Sequence, residues 1–313
     1  MTMVSVILCT YNPSMEILER ALDSLEKQTV SRSYFELIVV DNNSKPPLSE
    51  AQLNKDRSFA LRIVREPRQG LTYSRCTGIC EAKGELLIFM DDDNFLDLNY
   101  IENAIQIANK EPRIGLYGGI ASAVLENPIP KWKKRNLPHL GVRDYGPDAI
   151  TSFKDYWGKW EPIGAGMVAR REVAEKFVQT IKEIPFAGEL GRKGDRLLSC
   201  EDSLIARVAN RLGYACSYQP SLRLSHFIKE SRLTFKHLVR TVEGHGQSFV
   251  TLQRVLGKPT PEFSFLGKWR FLCKRLTIRL FKLGIRAGLI EWFWEVGFVR
   301  ESQKKDKAEN TKA

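Results

Sequence analysis

Three adjacent carboxylates, Asp91, Asp92 and Asp93, end the apolar run Leu86 to Met90 in "GELLIFMDDDN". Two carboxylates about 5 Å apart at an effective dielectric near 20 repel by roughly 3 kcal/mol. A hard divalent cation relieves that repulsion, because it takes oxygen ligands; Mg²⁺ commonly uses one or two carboxylates plus substrate phosphates. Residues two apart in an extended chain point to one side, so Asp91 and Asp93 can share a cation while Asp92 points away. The alternative for this motif taken alone is a strand-end turn capped by Asp and Asn. Other candidates are spread along the chain. Glu201 and Asp202 in "SCEDSLIARV" offer a general base, or merely an S-x-x-D capping box with Ser199. His226 in "LRLSHF" is a possible metal ligand, although a lone His is more often structural. Asp41 in "IVVDNNS" is either a turn former or an acceptor for a nucleobase N–H or a ribose hydroxyl. "GAGMVA", Gly164 to Ala169, matches a dinucleotide fingerprint in letters only, since no buried strand precedes it. Its glycines fit close approach of backbone to a ligand better.

The elements that must position these residues are legible in the apolar pattern. "VSVILCT", "FELIVVD", "LRIVRE" and "ELLIFM" are short β-rich runs. Between them, "SMEILERALDSLEKQ" has helical spacing, with Ser14 as N-cap or a start at Pro13. "GLTYSRCTGICEAKG" predicts a helix ending at Gly84. Continuous apolar strands alternating with helices predict an α/β domain with a mostly parallel central sheet. Ligands bind such sheets at the carboxyl ends of the strands. Thr10, Tyr11 and Asn12, then Asp41 to Asn43, then Asp91 to Asp93 all stand there. Further on, "LNYIENAIQIANKEP" is a helix, "RIGLYGGIASA" a strand, "PIGAGMVARREVAEKF" a strand and helix, "EDSLIARVANRLGYA" a helix closed by Gly213, and "CSYQPSLRLSHF" a late strand. Residues 125–160, rich in Pro, Trp, Tyr and Lys, predict a long functional loop or an inserted segment, in which Trp132 and Trp157 either offer aromatic surfaces to a ligand or belong to the core.

The 313 residues carry a formal charge of +11, which favours an anionic partner: a nucleotide, nucleic acid or an acidic membrane face. The six cysteines include no C-x-x-C pair and predict free thiols in a reducing cytosol. The N-terminus lacks a basic region and a small-residue cleavage site, and no apolar run reaches membrane-spanning length. From about Lys258 the character changes. "FLGKWRFLCKRLTIRLFKLGIRAGLIEWFWEVGF" interleaves aromatics with cations and predicts one or two basic amphipathic helices, suited to an anionic membrane surface more than to nucleic acid, or else packed on the rest of the chain with a solvated basic side. The expected organisation is a catalytic unit over 1–228, a helical extension over 229–300 and a disordered tail over 301–313.

Each motif is weak alone, but their order is specific. "VSVILCTYNP", "FELIVVDNNS", "GLTYSRCTGICEAKGELLIFMDDD", "PIGAGMVARREV" and "CEDSLIARVANRLGYACSYQPSLRLSH" follow one another as they do in family 2 glycosyltransferases of the GT-A fold, which residues 3 to 228 resemble. The resemblance implies inverting transfer of a sugar from a nucleoside diphosphate sugar, UDP-linked for preference, with Mg²⁺ or Mn²⁺. It implies that Thr10, Tyr11 and Asn12 line the nucleotide pocket, that Asp41 contacts the base, and that Arg75 lies near the diphosphate. Asp91 and Asp93 match the DXD motif, Asp91 toward ribose and metal and Asp93 on the metal, with Asp92 beside them in the nucleotide-sugar pocket. Gly164 and Gly166 would shape the floor beneath donor sugar and acceptor. Asp202 matches the catalytic base, with Glu201 next to it, and His226 a late metal-ligand or phosphate-contacting histidine. The expected acceptor is a glycan or lipid-linked molecule. The expected location is cytoplasmic, with possible attachment to the inner membrane face.

Processive members of the family carry Q-x-x-R-W and membrane-spanning helices. Neither is present, so one sugar per event is expected. "HGQS", His245 to Ser248, predicts a helical position near the acceptor and has no role in this reading. Two rivals stand beside it. A sugar-phosphate nucleotidyltransferase normally needs a Gly-rich, basic loop after the first strand, which "TYNPSME" lacks. A non-enzymatic membrane or nucleic-acid binder leaves the carboxylates unexplained.

Overall fold

The computed structural model describes residues 3–53, 57–194 and 196–304. Its first half follows the expected alternation: β1 (Val4–Thr10), α1 (Met15–Glu26), β2 (Phe35–Asp41), a single turn α2 (Glu50–Leu53), β3 (Ala60–Arg65), α3 (Leu71–Glu81) and β4 (Leu86–Asp91). Every residue of β1 and β2 is buried. Val4, Val6 and Leu8 go to one core, with Leu18, Leu22 and Leu25 of α1; Ile7 and Cys9 go to the other, with Cys76 and Ile79 of α3. That period-two division of an all-apolar run is what a sheet covered on both faces requires. Ser14 takes the N-cap position of α1, but its side chain makes no capping bond. Helix α3 stops at Glu81, three residues before Gly84.

After β4 come β5 (Asn94–Leu96), α4 (Tyr100–Lys110), β6 (Ile114–Leu125), a single turn α5 (Lys131–Lys134), β7 (Ile150–Ser152), β8 (Val168–Arg170), α6 (Arg171–Glu183), α7 (Glu201–Arg211) and β9 (Ala215–Ile228). Among the described residues the sheet order is β3-β2-β1-β4-β8-β6-β9-β5, with β7 also on β9. The strands β3-β2-β1-β4 are parallel, as the sequence predicts. Beyond β4 the sheet is mixed: β8 is antiparallel to both β4 and β6, β9 is parallel to β6, and β5 is antiparallel to β9. The local apolar pattern marks β6, β8 and β9 as strands but does not encode their direction. Gly213, at φ +86°, closes α7 as expected.

The C-terminal part is three helices, α8 (Phe235–Val255), α9 (Phe265–Leu283) and α10 (Ile285–Ser302). The basic segment is thus two helices, broken at Gly284 with φ +76°. Helix α10 runs to Ser302, two residues into the segment expected as a tail; residues 305–313 lie outside those described. Helices α8 and α10 cross at van der Waals contact of their backbones. A Cβ on Gly246 would collide with the Trp294 carbonyl and come within 2.8 Å of the Phe298 nitrogen, and one on Gly297 would collide with the Glu243 carbonyl. No helix among the described residues is long and apolar enough to cross a membrane.

In an open helix, Gly→Ala gains about 1 kcal/mol of propensity. At this crossing the new methyl meets backbone, which cannot move aside, and overpacking costs about 1–3 kcal/mol or more. Gly246→Ala and Gly297→Ala are each expected to lower stability by about 1–3 kcal/mol net. Urea unfolding of each variant beside the native protein checks the sign.

Candidate functional site

A cavity of about 990 Å³ opens at the carboxyl ends of the parallel strands. It is lined by Thr10, Tyr11, Arg75, Asp91, Asp92, Asp93, Gly164, Glu201, Asp202 and His226, residues from six separated segments of the chain. Of the residues singled out from sequence, Asn12, Asp41 and Gly166 are not on its wall.

The acidic corner is built by a turn. Strand β4 ends at Asp91, and Asn94, fully buried, ties the turn on both sides: its Oδ1 accepts from the Asp91 N–H at 3.1 Å and its Nδ2 donates to Asp93 Oδ1 at 3.0 Å. Pairing of β5 with β9 then sets Asn94 opposite His226. His226 Nε2 stands 3.3 Å from Asp93 Oδ2, and Arg232 Nη1 is 3.2 Å from the same oxygen. Burial raises the proton affinity of Asp93, but the His226 hydrogen bond and the His226 and Arg232 charges outweigh it and hold its carboxyl below the usual range. Asp92 does not point away from the cavity. It lines the cavity and accepts a hydrogen bond from the Thr10 hydroxyl, because the chain turns sharply there and the strand alternation no longer applies. Burial first, and then the charges of Asp93 and Asp91, push Asp92 up to about 7.

Among the described residues no three His, Cys, Asp or Glu side chains are grouped closely enough to hold a metal by themselves. Cis ligands of an octahedral ion at ~2.1 Å stand ~3 Å apart, and Asp93 Oδ2 and His226 Nε2 have nearly that spacing. His226 Nδ1 is buried without a partner. Arg232 Nη1 stands 3.2 Å from Asp93 Oδ2 and 3.4 Å from His226 Nε2, so an ion that takes these two atoms as ligands and completes its shell from substrate phosphates would displace a guanidinium that already faces both.

Across the cavity, α3 and α7 meet at a buried ion pair. Arg75 Nη1 and Glu201 Oε1 are 3.0 Å apart, with the side chains 2% and 3% exposed. The guanidinium lies over the Phe89 ring at 5.5 Å and directly beneath Gly164, where any Cβ would overlap it. Gly164 N–H donates to Asp202 Oδ2 at 3.2 Å, and Ser203 N–H donates to Oδ1 at 2.7 Å. The sequence pairing of Glu201 and Asp202 conceals two roles. Glu201 is held by Arg75 in the floor, with its other oxygen unpartnered, and burial pushes it up to about 7 despite Arg75. Asp202 is only half-buried and stands at the cavity; burial raises its proton affinity above the ordinary carboxylate value, with Arg75 opposing. The capping box does not form: Cys200 is the N-cap residue, and Ser199 N–H donates instead to Ser248 Oγ at 2.9 Å.

Asp41 is 1% exposed and both its oxygens are taken by the turn after β2, accepting from Ser44 N–H at 2.9 Å and Leu48 N–H at 3.1 Å. Both oxygens thus serve the turn after β2, and Asp41 lies off the cavity wall. The cavity residue there is Asn42, which accepts from Gly70 N–H at 2.8 Å. Asn12, at φ 48°, joins the turns after β1 and β2 through Ser44 and Lys45. Gly166, at φ +70°, packs beneath the floor, where its carbonyl accepts from the Tyr100 hydroxyl. Trp157 lines the cavity, whereas Trp132 packs away from it beside Arg286.

Several cavity groups carried no sequence signal beyond their type. Glu161 is buried against Arg207 and the Ser203 hydroxyl, and burial pushes it up to about 7. Arg232, His245, Phe249 and Trp294 come from beyond residue 228, so α8 and α10 supply part of the wall. "HGQS" also finds its place: Gly246 admits α10, Ser248 anchors the segment leading into Glu201, and His245 faces the cavity.

The chain belongs to glycosyl transferase family 2, whose family profile matches residues 5–178. Its fold is GT-A: it superimposes on GalNAc-T7, crystallised with UDP, GalNAc and Mn²⁺, with a TM-score of 0.51 at 18% identity over 86% of this chain and 54% of that one. Staphylococcus aureus TarS also superimposes, with a TM-score of 0.51 at 13% identity over 96% of this chain and 55% of that one. In sequence, an uncharacterized glycosyltransferase of Haemophilus influenzae is 34% identical over 113 residues, so the chain spans 36% of that relative's length. A glucosyl-dolichyl phosphate glucuronosyltransferase of Haloferax volcanii is 23% identical over 243 residues, 75% of this chain and 72% of its own.

Removing one partner of a buried ion pair leaves an uncompensated charge and costs about 3–5 kcal/mol. Arg75→Met is expected to destabilise the fold by about that amount, with Arg75→Met/Glu201→Met recovering much of it. Chemical denaturation of the two single variants and the double variant measures the coupling; additive losses would show that the pair does not act as a unit.

Proposed function

We propose that the cavity binds a nucleoside diphosphate sugar, UDP-linked for preference, and transfers the sugar with inversion to an acceptor hydroxyl in polysaccharide or glycoconjugate synthesis. The observation that carries this reading is the convergence of the Asp91–Asp93 corner and Asp202 on one cavity, in a member of family 2. The GalNAc-T7 complex with UDP and Mn²⁺ supports a nucleotide donor and a divalent ion. Thr10 and Tyr11 would flank the nucleotide, as would Asn42, in place of Asp41. Asp93 and His226, with Asp91 at the edge, would hold Mg²⁺ or Mn²⁺, which when bound neutralises charge on the diphosphate. Arg232 meanwhile supplies a cation at the same corner.

The step assigned to the protein's own residues is proton removal. Asp202 takes the proton as the acceptor oxygen attacks the anomeric carbon, the new C–O bond forms and the bond to the diphosphate breaks on the opposite face. A raised proton affinity suits a general base, and burial gives Asp202 that shift. Two backbone N–H groups fix its orientation. Glu201 is read as the positioning partner of Arg75, not as a second base. We read residues 1–228 as the catalytic unit and 229–300 as a helical extension that closes one wall. The expected acceptor is glycan or lipid-linked. The free cysteines support a cytoplasmic location.

Donor hydrolysis and transfer from UDP-sugars by Asp202→Asn are expected to fall 10²- to 10⁴-fold, roughly the share of a general base, with UDP binding retained. In the native enzyme the base must be ionised, so kcat/KM is expected to fall as pH drops through the raised pKa of Asp202, above the ordinary carboxylate range. Full activity of Asp202→Asn in steady-state assays would remove the assignment.

A further inference from the structure

We propose that the outer face of α9, with the first turn of α10, docks on an anionic lipid surface. This proposal is independent of the donor and acceptor assigned above. Helix α9 holds six Lys and Arg residues and no Asp or Glu. Two of its cations are committed inward: Arg275 and Arg279 both reach the buried Glu295 carboxylate, at 2.9 Å and 3.0 Å. Together with Trp292 Nε1, which donates to the Leu272 carbonyl at 2.9 Å, they fix which side of α9 faces α10. The opposite side is left to solvent.

That side combines apolar bulk with cations. Leu266, Trp269, Phe281 and Ile285 are exposed, Phe281 at 92%. Arg270 and Lys274 are exposed on the same side, and Lys282 and Arg286 at its C-terminal end, where Arg286 also lies over the Trp132 ring at 5.7 Å. Among the described residues of α9, Leu272 alone is buried. Large aromatic groups kept in water are unfavourable by ~25 cal/mol per Å² of apolar surface, so so much exposed apolar area implies a partner. The charges identify it. A second copy of the chain would set one carboxylate-free cationic helix against another. A neutral apolar groove would leave the four cations without counter-charge. An anionic bilayer accepts both features, with Trp and Phe at the headgroup boundary and Lys and Arg at the phosphates.

The placement relates this face to the cavity. Glu295 anchors α9, and Trp294 beside it in sequence lines the cavity. The lipid-facing helix is therefore one helix removed from the cavity wall, which would hold the site close to a lipid-attached acceptor.

The test is co-sedimentation of the full chain with phosphatidylcholine vesicles, with and without phosphatidylglycerol, at low and high salt. Binding is expected only to the anionic vesicles and is expected to weaken as salt rises. Lys274→Glu/Lys282→Glu should lower partitioning at least about tenfold, and Trp269→Ala/Phe281→Ala should lower it as well. Lys110→Glu, at an exposed position at the end of α4, should leave it unchanged. All these sites are at the surface, so unchanged melting temperatures are expected to show that folding is intact. Equal binding to neutral vesicles, no vesicle binding, or binding unaffected by the charge reversal would overturn the proposal. So would a dimer that the same substitutions dissociate, or oligonucleotide binding in place of vesicle binding.

Discussion

The site depends on one buried ion pair. Arg75 and Glu201, 126 positions apart in sequence, meet at 3.0 Å with almost no exposure. Neither charge could be buried without the other, since each would face a desolvation penalty of several kcal/mol. Their meeting fixes α3 against α7. Because Arg75 fills the space directly under residue 164, that residue must be glycine. The backbone of Gly164 is thereby presented to Asp202, whose carboxylate it holds. The pair sets the spacing between the strand end that carries Asp91–Asp93 and the helix that carries Asp202.

The acidic corner answers to a different constraint. Three carboxylates at a strand end must each find a partner or repel. Thr10 serves Asp92, Asn94 and His226 serve Asp93, and Arg232 adds a charge. Thr10 ends β1, but Asn94 and His226 arrive by way of the β5–β9 ladder, so the mixed half of the sheet completes the acidic corner. Helices α8 and α10 then supply part of the cavity wall, and their backbone-to-backbone crossing at Gly246 and Gly297 brings Trp294 and His245 to the cavity.

Much of this was legible in the chain. The period-two burial of "VSVILCT" and "FELIVVD", the helix between them and the position of the Asp triplet all follow from local pattern, and the ordered motifs were enough to reach the family. What was not legible is long-range. Nothing local distinguishes Glu201 from Asp202; the distinction arises because α3 brings an arginine to one and not to the other. Asp41 looked like a ligand group because it ends a strand, yet the turn after β2 consumes both of its oxygens. Arg232, six residues past His226, reads as a solvated charge until the β9 exit folds it back onto Asp93. Glu161 lies in an irregular segment with no periodicity to show that it is buried. The motif "HGQS" had no assignable role because its three contacts are with α10, the segment before Glu201 and the cavity, all distant in sequence.

The measurement that bears most directly on the account is calorimetric titration of the full chain with UDP, with and without Mn²⁺, on the native protein and on Asp93→Ala. The account predicts UDP binding that strengthens with Mn²⁺, and loss of that metal-dependent increment by at least about tenfold in Asp93→Ala. UDP affinity indifferent to both Mn²⁺ and the substitution, or no binding by the folded native protein, would contradict it.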